Sequence, residues 1–293
     1  MFEGFGQHKI KANGVTIHCR VGGKGRPILL LHGYPQTHVM WHKIAPALAE
    51  KYTVVASDLR GYGDSAKPPG DAEHKSYSKR VMAADQVALM QALGHETFAV
   101  IGHDRGARVA HRMALDHQAR IEKMAVLDIV PTLDAFGAMD HERSTAYAHW
   151  FFLIQPDGLP ERLIGNDPAF WLKWCLKRWG GPESGLSYFG EAAIADYVRC
   201  FSDPAAIHAS CEDYRAGASI DMVYDRGDLG RQVTCPSLAL WGGRGRVAKW
   251  WDVKACWQAR CATLSGKSLD AGHFLVEERP EETTAELLRF LAT

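Results

Sequence analysis

The chain has 293 residues, 46% of them hydrophobic and 23% charged, so it can bury a substantial core and is not expected to be disordered. Its 34 basic and 34 acidic side chains cancel, which leaves no overall field to gather nucleic acid or an anionic membrane, and neither is expected as a partner. Met1 to Lys11 lacks an apolar run of signal-peptide length, and nowhere do about 18 uninterrupted apolar residues suggest a membrane span, so a cytoplasmic protein is expected.

Taken in chain order, the first feature is a hairpin. Asn13-Gly14 supplies the positive φ values of a tight turn between Lys9–Lys11 and Val15–Arg20. Short continuous apolar runs then recur at Pro27–Leu31, Tyr52–Ala56, Phe98–Ile101 and Met124–Leu127, a pattern suited to strands buried on both faces of a parallel sheet. Trp41, Ile44 and Leu48 fall on one face of a helix between the first two runs. Ser78 to Gly94 offers a cap at one end and a glycine stop at the other. This is β-α alternation. It breaks after Pro131, where a stretch to roughly Gly227 is rich in Trp, Phe, Tyr and His and shows helical patterns without obvious buried strands. A helical cap inserted into an α/β core is therefore expected, with core residues 1–132 and 228–293 and cap residues 133–227. Strand and helix patterns resume at Gln232–Trp241, continue through Ser265–Asp270 and close with a helix from Glu281 to Leu291. Seven cysteines, an odd number with no C-x-x-C pair, suit neither a disulfide framework nor a zinc site, so reduced structural thiols and no metal are expected.

The most informative residues are Ala99-Val100-Ile101-Gly102-His103-Asp104-Arg105-Gly106, an apolar strand entering G-x-D-x-G and then a helix. This is a nucleophile elbow with Asp104 in place of serine, its sharp turn demanding Gly102 and Gly106 where backbone crowds its neighbours. His32-Gly33-Tyr34-Pro35 follows the first buried strand, where this fold supplies a backbone amide to an oxyanion hole, so the amides of Tyr34 and Arg105 are expected to hold the carbonyl oxygen of an Asp104 ester. His273, in Asp270-Ala271-Gly272-His273-Phe274 after the last strand, sits where the general base belongs. Two strand ends could supply its acidic partner. The loop after Trp241 has no carboxylate near the strand end, whereas Asp128 follows Val126-Leu127, so Asp128 is assigned and Asp252 is the alternative. Asp58-Leu59-Arg60-Gly61 is given no chemistry.

A carboxylate nucleophile is better suited than a serine to displacing a leaving group from saturated carbon, giving an alkyl ester of the enzyme that water then cleaves. Dehalogenation or epoxide opening is thus expected, and no cofactor is needed. Arg105 and Arg108 follow the nucleophile at a helix N-terminus, where the macrodipole disfavours cations, which points to an anionic substrate. Such an anion meets a repulsion from Asp104 of roughly 4 kcal/mol at about 4 Å with an effective dielectric of about 20, which two guanidinium groups can offset.

On these residues, together with His32-Gly33-Tyr34-Pro35-Gln36, Val126-Leu127-Asp128-Ile129, His149-Trp150, Cys211-Glu212-Asp213-Tyr214-Arg215-Ala216-Gly217 and Gly272-His273-Phe274, the whole chain resembles the fluoroacetate dehalogenases, a branch of haloacetate dehalogenases in the α/β-hydrolase superfamily. The resemblance implies an α/β-hydrolase fold with a mostly parallel eight-stranded sheet. It implies Asp104 as nucleophile, His273 as base and Asp128 as its partner, with Arg105 and Arg108 on the carboxylate of a small anionic haloacid. It further implies that His149, Trp150 and Tyr214 donate hydrogen bonds to the departing halide, and that the protein is a homodimer. Tyr34 departs from the family's Phe. The competing enzyme is an epoxide hydrolase, for which Tyr147, Tyr188, Tyr197 and Tyr214 would be the candidate acids. A binding protein on the same scaffold is the reading outside catalysis.

Overall fold

Asn13 and Gly14 take φ values of 47° and 82° and turn the chain between β1 (Gly6–Ala12) and β2 (Val15–Gly22), as the Asn-Gly pair leads one to expect. The computed structural model describes residues 1–181 and 185–293. Six further strands follow: β3 (Arg26–Leu31), β4 (Tyr52–Ser57), β5 (Phe98–His103), β6 (Ile121–Leu127), β7 (Ser237–Gly242) and β8 (Leu264–Leu269). They form one sheet in the order β1-β2-β4-β3-β5-β6-β7-β8, antiparallel at β1-β2 and β2-β4 and parallel from β4 to β8. Ile28 to Leu31 and Phe98 to His103 are buried throughout, because helices cover a parallel sheet and leave its central strands no solvent face.

Ser78 caps α2 (Lys79–Ala92) by accepting from the Val81 amide, and Gly94 ends that region with φ 85°. The helix expected across Trp41, Ile44 and Leu48 is instead a 3-10 turn (His38–Lys43) followed by the short α1 (Ala45–Ala49). Pro46 explains this, since it lacks an N–H and its ring would clash with the carbonyl four residues earlier in a continuous helix. Those three side chains are nevertheless all buried. The stretch expected to resume at Gln232 becomes strand only from Ser237; Val233 makes an isolated bridge to Cys261, and Pro236 has no N–H for a ladder.

Between β6 and β7 the described residues form eight helices and no strand: α4 (Thr132–Gly137), α5 (His141–Ala146), α6 (Ala148–Leu153), α7 (Leu159–Gly165), α8 (Pro168–Trp179), α9 (Glu191–Phe201), α10 (Pro204–Ala218) and α11 (Ile220–Gly227). After β7 come α12 (Arg246–Trp250) and α13 (Val253–Gln258), and β8 leads to α14 (Leu275–Glu278) and α15 (Pro280–Ala292), the closing helix that the sequence suggests. Among the described residues no helix is long and apolar enough to cross a membrane. Helix α3 (Arg105–Asp116) packs on β5 and β6, so its N-terminus opens at the carboxyl edge of the parallel strands, where β6, β7 and β8 also deliver their loops.

Candidate active site

Asp104 links β5 to α3 at φ 47° and ψ −115°, a backbone conformation that a non-glycine residue holds only when its surroundings impose it. The imposition comes from packing. A Cβ on Gly102 would lie 2.4 Å from the Gly106 carbonyl oxygen, and one on Gly106 would lie 2.4 Å from the carbonyl oxygens of both Leu31 and His32. Strand and helix therefore cross too closely for any side chain, and the carboxylate of Asp104 is driven out of the turn. Its Oδ1 accepts from the Tyr34 amide at 2.9 Å, which leaves Oδ2 facing the cavity without a described bond.

His273 Nδ1 lies 2.6 Å from Asp128 Oδ2, while Asp128 Oδ1 accepts from the Gly242 amide at 2.9 Å. Asp128 sits at φ 51°, in the left-handed region that Asp tolerates, and its amide donates to the Leu240 carbonyl of β7 at 2.8 Å. Asp252, the alternative partner, caps α13 through the Ala255 amide. The loop bearing His273 is fixed from two sides. His103 Nε2 donates to the His273 carbonyl at 2.8 Å, and Glu278 accepts from the amides of Gly272 (2.8 Å), Phe274 (3.0 Å) and Gly181 (3.1 Å).

The two arginines that follow Asp104 have different fates. Arg105 places Nε and Nη2 on the Asp213 carboxylate at 2.9 and 2.8 Å, with its guanidinium 4.3 Å from the centre of the Tyr214 ring. Asp213 also pairs with Lys79 and accepts from the Tyr62 hydroxyl at 2.6 Å. Arg108 finds no carboxylate among the described residues: Nη1 donates to Thr132 Oγ1 (2.8 Å) and the Val130 carbonyl (3.3 Å), and its buried Nε has no partner. Arg108 also lines the cavity that holds Asp104.

That cavity, about 530 Å³ counting space open to solvent, brings together Asp104, Arg108, Asp128, His149, Trp150 and His273. Arg105 and Tyr214 are not among the residues lining it, although the Tyr214 and His149 ring centres lie 5.9 Å apart. The Trp179 and His149 rings lie tilted against each other with centroids 4.3 Å apart, and among the described residues the buried indole N–H groups of Trp179 and Trp251 find no hydrogen-bond partner. Tyr34, where the expected family pattern has Phe, directs its hydroxyl away to accept from Trp171 Nε1 at 2.6 Å.

The electrostatics favour an ionised Asp104. Burial raises its pKa, but the charges of His273, His103 and Arg105 and the Tyr34 amide outweigh burial and hold it below the usual carboxylate range. His273 is disfavoured as a cation by burial, yet the Asp128 bond and charge lift its pKa above the ordinary imidazole value. Burial, followed by the charge of Arg246, keeps His149 well below that value, so it enters the site neutral. A carboxylate held ionised in an apolar cavity, with a histidine–aspartate pair and, beside it, a cation bonded to no carboxylate among the described residues, can attack an electrophilic carbon of an anion and then direct water.

Several neighbours of the cavity carry no mark in the sequence. His103 lies inside the elbow motif, and Trp179, Trp251 and Arg246 line the cavity, as does Tyr147, considered from sequence only as an acid for epoxide opening. Nothing in local spacing marks Trp179 among the chain's aromatic residues; Arg246 was detectable only as a cation in a loop after a parallel strand. His18, His38 and Asp58 form the one group with metal-ligand donors among the described residues. Both ring Nδ1 atoms there already bond the Asp58 carboxylate, at 2.8 and 2.9 Å, which makes Asp58 a buried hydrogen-bond hub for the loop after β4.

Residues 26–280 match the family model described as alpha/beta hydrolase fold. The chain is 48% identical over 292 residues to a fluoroacetate dehalogenase of Burkholderia sp, covering 100% of this chain and 95% of that protein. It is 34% identical over 287 residues to a soluble epoxide hydrolase of Corynebacterium sp. (strain C12), with 97% and 96% covered. A crystal structure from Nostoc sp PCC 7120, of a protein provisionally assigned to the alpha/beta hydrolases, superimposes with a TM-score of 0.97 at 55% identity, covering 99% of each chain.

Proposed function

The chain belongs to the alpha/beta hydrolase fold family, and from that premise we propose that it hydrolyses haloacetates, turning fluoroacetate and water into glycolate, fluoride and a proton. The observation that carries this reading is the presence, in one cavity, of an ionised Asp104 and the guanidinium of Arg108, which bonds no carboxylate among the described residues.

Asp104 Oδ2 attacks the halogen-bearing carbon, the carbon–halogen bond breaks, and an ester forms on Asp104. Arg108 grips the substrate carboxylate, and Arg105, locked by Asp213, contributes from behind with Nη1, which makes no described bond. Imidazole, indole and phenol donors of His149, Trp150 and Tyr214 stabilise the charge growing on the halide, an effect concentrated in the transition state because fluoride becomes a strong acceptor only as it leaves. His273, made basic by Asp128, then removes a proton from water as the water attacks the ester carbonyl. The amides of Tyr34 and Arg105 hold the carbonyl oxygen through that step, a role supported by the existing bond from Tyr34 to Asp104 Oδ1. Collapse returns the carboxylate and releases the hydroxy acid.

Residues 133–227 act on this reading as a cap over a core of residues 1–132 and 228–293, supported by the run of helices between β6 and β7. Exposed Leu159, Leu163, Phe170 and Trp174 on α7 and α8 are consistent with a homodimer, and seven free cysteines with a cytoplasmic setting. The test is to incubate purified protein with fluoroacetate, chloroacetate and a neutral epoxide, following free halide and diol. Halide release well beyond one equivalent supports the proposal. Diol formation without halide release transfers the assignment to epoxide opening.

A further inference from the structure

Arg246 opens α12 directly after the β7 loop and, like Arg108, lines the cavity that holds Asp104. Its Nη1 donates to the Ala146 carbonyl and its Nη2 to the Arg178 carbonyl at 3.3 Å, and no carboxylate pairs with it among the described residues. Burial works against its charge, so a half-buried guanidinium is being kept where it lacks a compensating anion. Neutral carbonyl acceptors would be served as well by an uncharged amide donor. The charge itself needs an explanation.

The geometry separates the two free cations of the cavity. Arg108 lies 5.2 Å from the centre of the Trp150 ring, and Arg246 lies 6.0 Å from that of Tyr147. The two rings meet edge to face with centroids 5.0 Å apart, so each cation is attached to its own member of an aromatic pair. Arg108 is anchored on the β6 loop through Val130 and Thr132, whereas Arg246 is anchored on cap residues. Arg246 also borders an outer basin of about 800 Å³, counting open solvent, together with the exposed side chain of Arg178. It therefore marks the outer end of the cavity, and Val130, Ile129 and Val247 give the lining an apolar character suited to a methylene chain.

The geometry points to Arg246 as the anchor for a second anionic group, which makes α-halo dicarboxylates, with the halogen-bearing carbon beside one carboxylate and the other at the end of an alkyl chain, substrates of this site. This rests on the dehalogenase reading and extends it. One carboxylate takes Arg108, the chain lies along Trp150 and Tyr147, and the terminal carboxylate takes Arg246. The chemistry is unchanged: the carbon–halogen bond breaks as the Asp104 ester forms, and water cleaves the ester to give the hydroxy diacid, halide and a proton.

The test compares kcat/KM for 2-chlorosuccinate, 2-chloroglutarate and 2-chloroadipate with the monoacids in which a terminal methyl replaces the distal carboxylate, using chloroacetate as reference. In the parent protein at least one diacid should exceed its monoacid partner by roughly 10- to 100-fold, the worth of a charge-assisted carboxylate contact. Arg246→Gln, which can still donate to the carbonyls, should abolish that preference, lowering kcat/KM for the preferred diacid by at least about 10-fold more than for chloroacetate, while Arg246→Lys should retain part of it. The inference is overturned if no diacid is preferred, if the preference survives in Arg246→Gln, or if chloroacetate falls as far as the diacid. A parent protein inactive on chloroacetate as well would instead bring down the dehalogenase reading itself.

Discussion

Replacing Asp128 by Asn separates the two halves of the proposed cycle. Asn is tolerated at the φ of 51° that residue 128 adopts, so the backbone should survive. The Gly242 amide, 2.9 Å from Asp128 Oδ1, then fixes the new side chain, because only the carbonyl oxygen of Asn can accept from it. The NH2 group is left facing His273 Nδ1, which sits 2.6 Å from Asp128 Oδ2 in the parent. To accept from that NH2, His273 must carry its proton on Nε2, the atom that should take a proton from water. The variant also loses a charge attraction of roughly 4 kcal/mol at about 4 Å and an effective dielectric of about 20 in the imidazolium state. At about 1.36 kcal/mol per factor of ten, ester hydrolysis should slow by roughly 10³-fold. Formation of the ester uses no base and should slow far less. Rapid-quench measurement of halide should therefore show a burst approaching one equivalent per site followed by a slow phase, with an adduct on Asp104 by mass spectrometry. A uniform slowing without burst or adduct would refute the division of labour.

Arg108→Leu should raise KM for chloroacetate by about 10- to 100-fold, the worth of a charge-assisted contact, in steady-state assays that also report whether kcat stays within a smaller factor. An unchanged KM would exclude Arg108 as the carboxylate anchor. Trp150→Phe removes the indole proposed to donate to the halide and should cost roughly 10²-fold in kcat on fluoroacetate, and less on bromoacetate, whose leaving group needs less stabilisation. Equal losses on both would contradict a halide role. Glu277 is buried, and burial lifts its pKa to about 8 despite bonds from Tyr197 and Gln36. Since the folded pKa exceeds the ordinary value of 4.5, its contribution to stability is complete below that value and is lost as pH rises to about 8. Melting temperatures between about pH 5 and 9 should fall with pH more steeply in the parent than in Glu277→Gln, and parallel profiles would count against this linkage.

Features set by local chemistry were the ones legible in the sequence. The Asn13-Gly14 turn, the Ser78 cap and the elbow glycines each carry their own steric reason, and the structure realises all of them. The buried runs gave the central strands because continuous apolar residues suit a sheet covered on both faces. The single helix expected from Trp41 to Leu48 failed because apolar spacing was weighed without the break at Pro46. Long-range pairing was hidden. Arg105 and Arg108 look equivalent in sequence, yet Asp213, 108 residues beyond Arg105, neutralises one and leaves the other free. Arg246 and Trp179 join the cavity only because the β7 loop and α8 converge there, and neither position announces that in its neighbours.

The claim on which the account depends is that the Asp104 carboxylate forms the first new bond to carbon. A single turnover with enzyme in excess over chloroacetate in oxygen-18 water tests it, with isotope read in both the hydroxy acid and an Asp104-containing peptide. The account predicts that heavy oxygen enters the Asp104 carboxylate while the new hydroxyl of the product comes unlabelled from the protein. Labelled glycolate with an unlabelled peptide would mean that water attacks the substrate directly, and would contradict it.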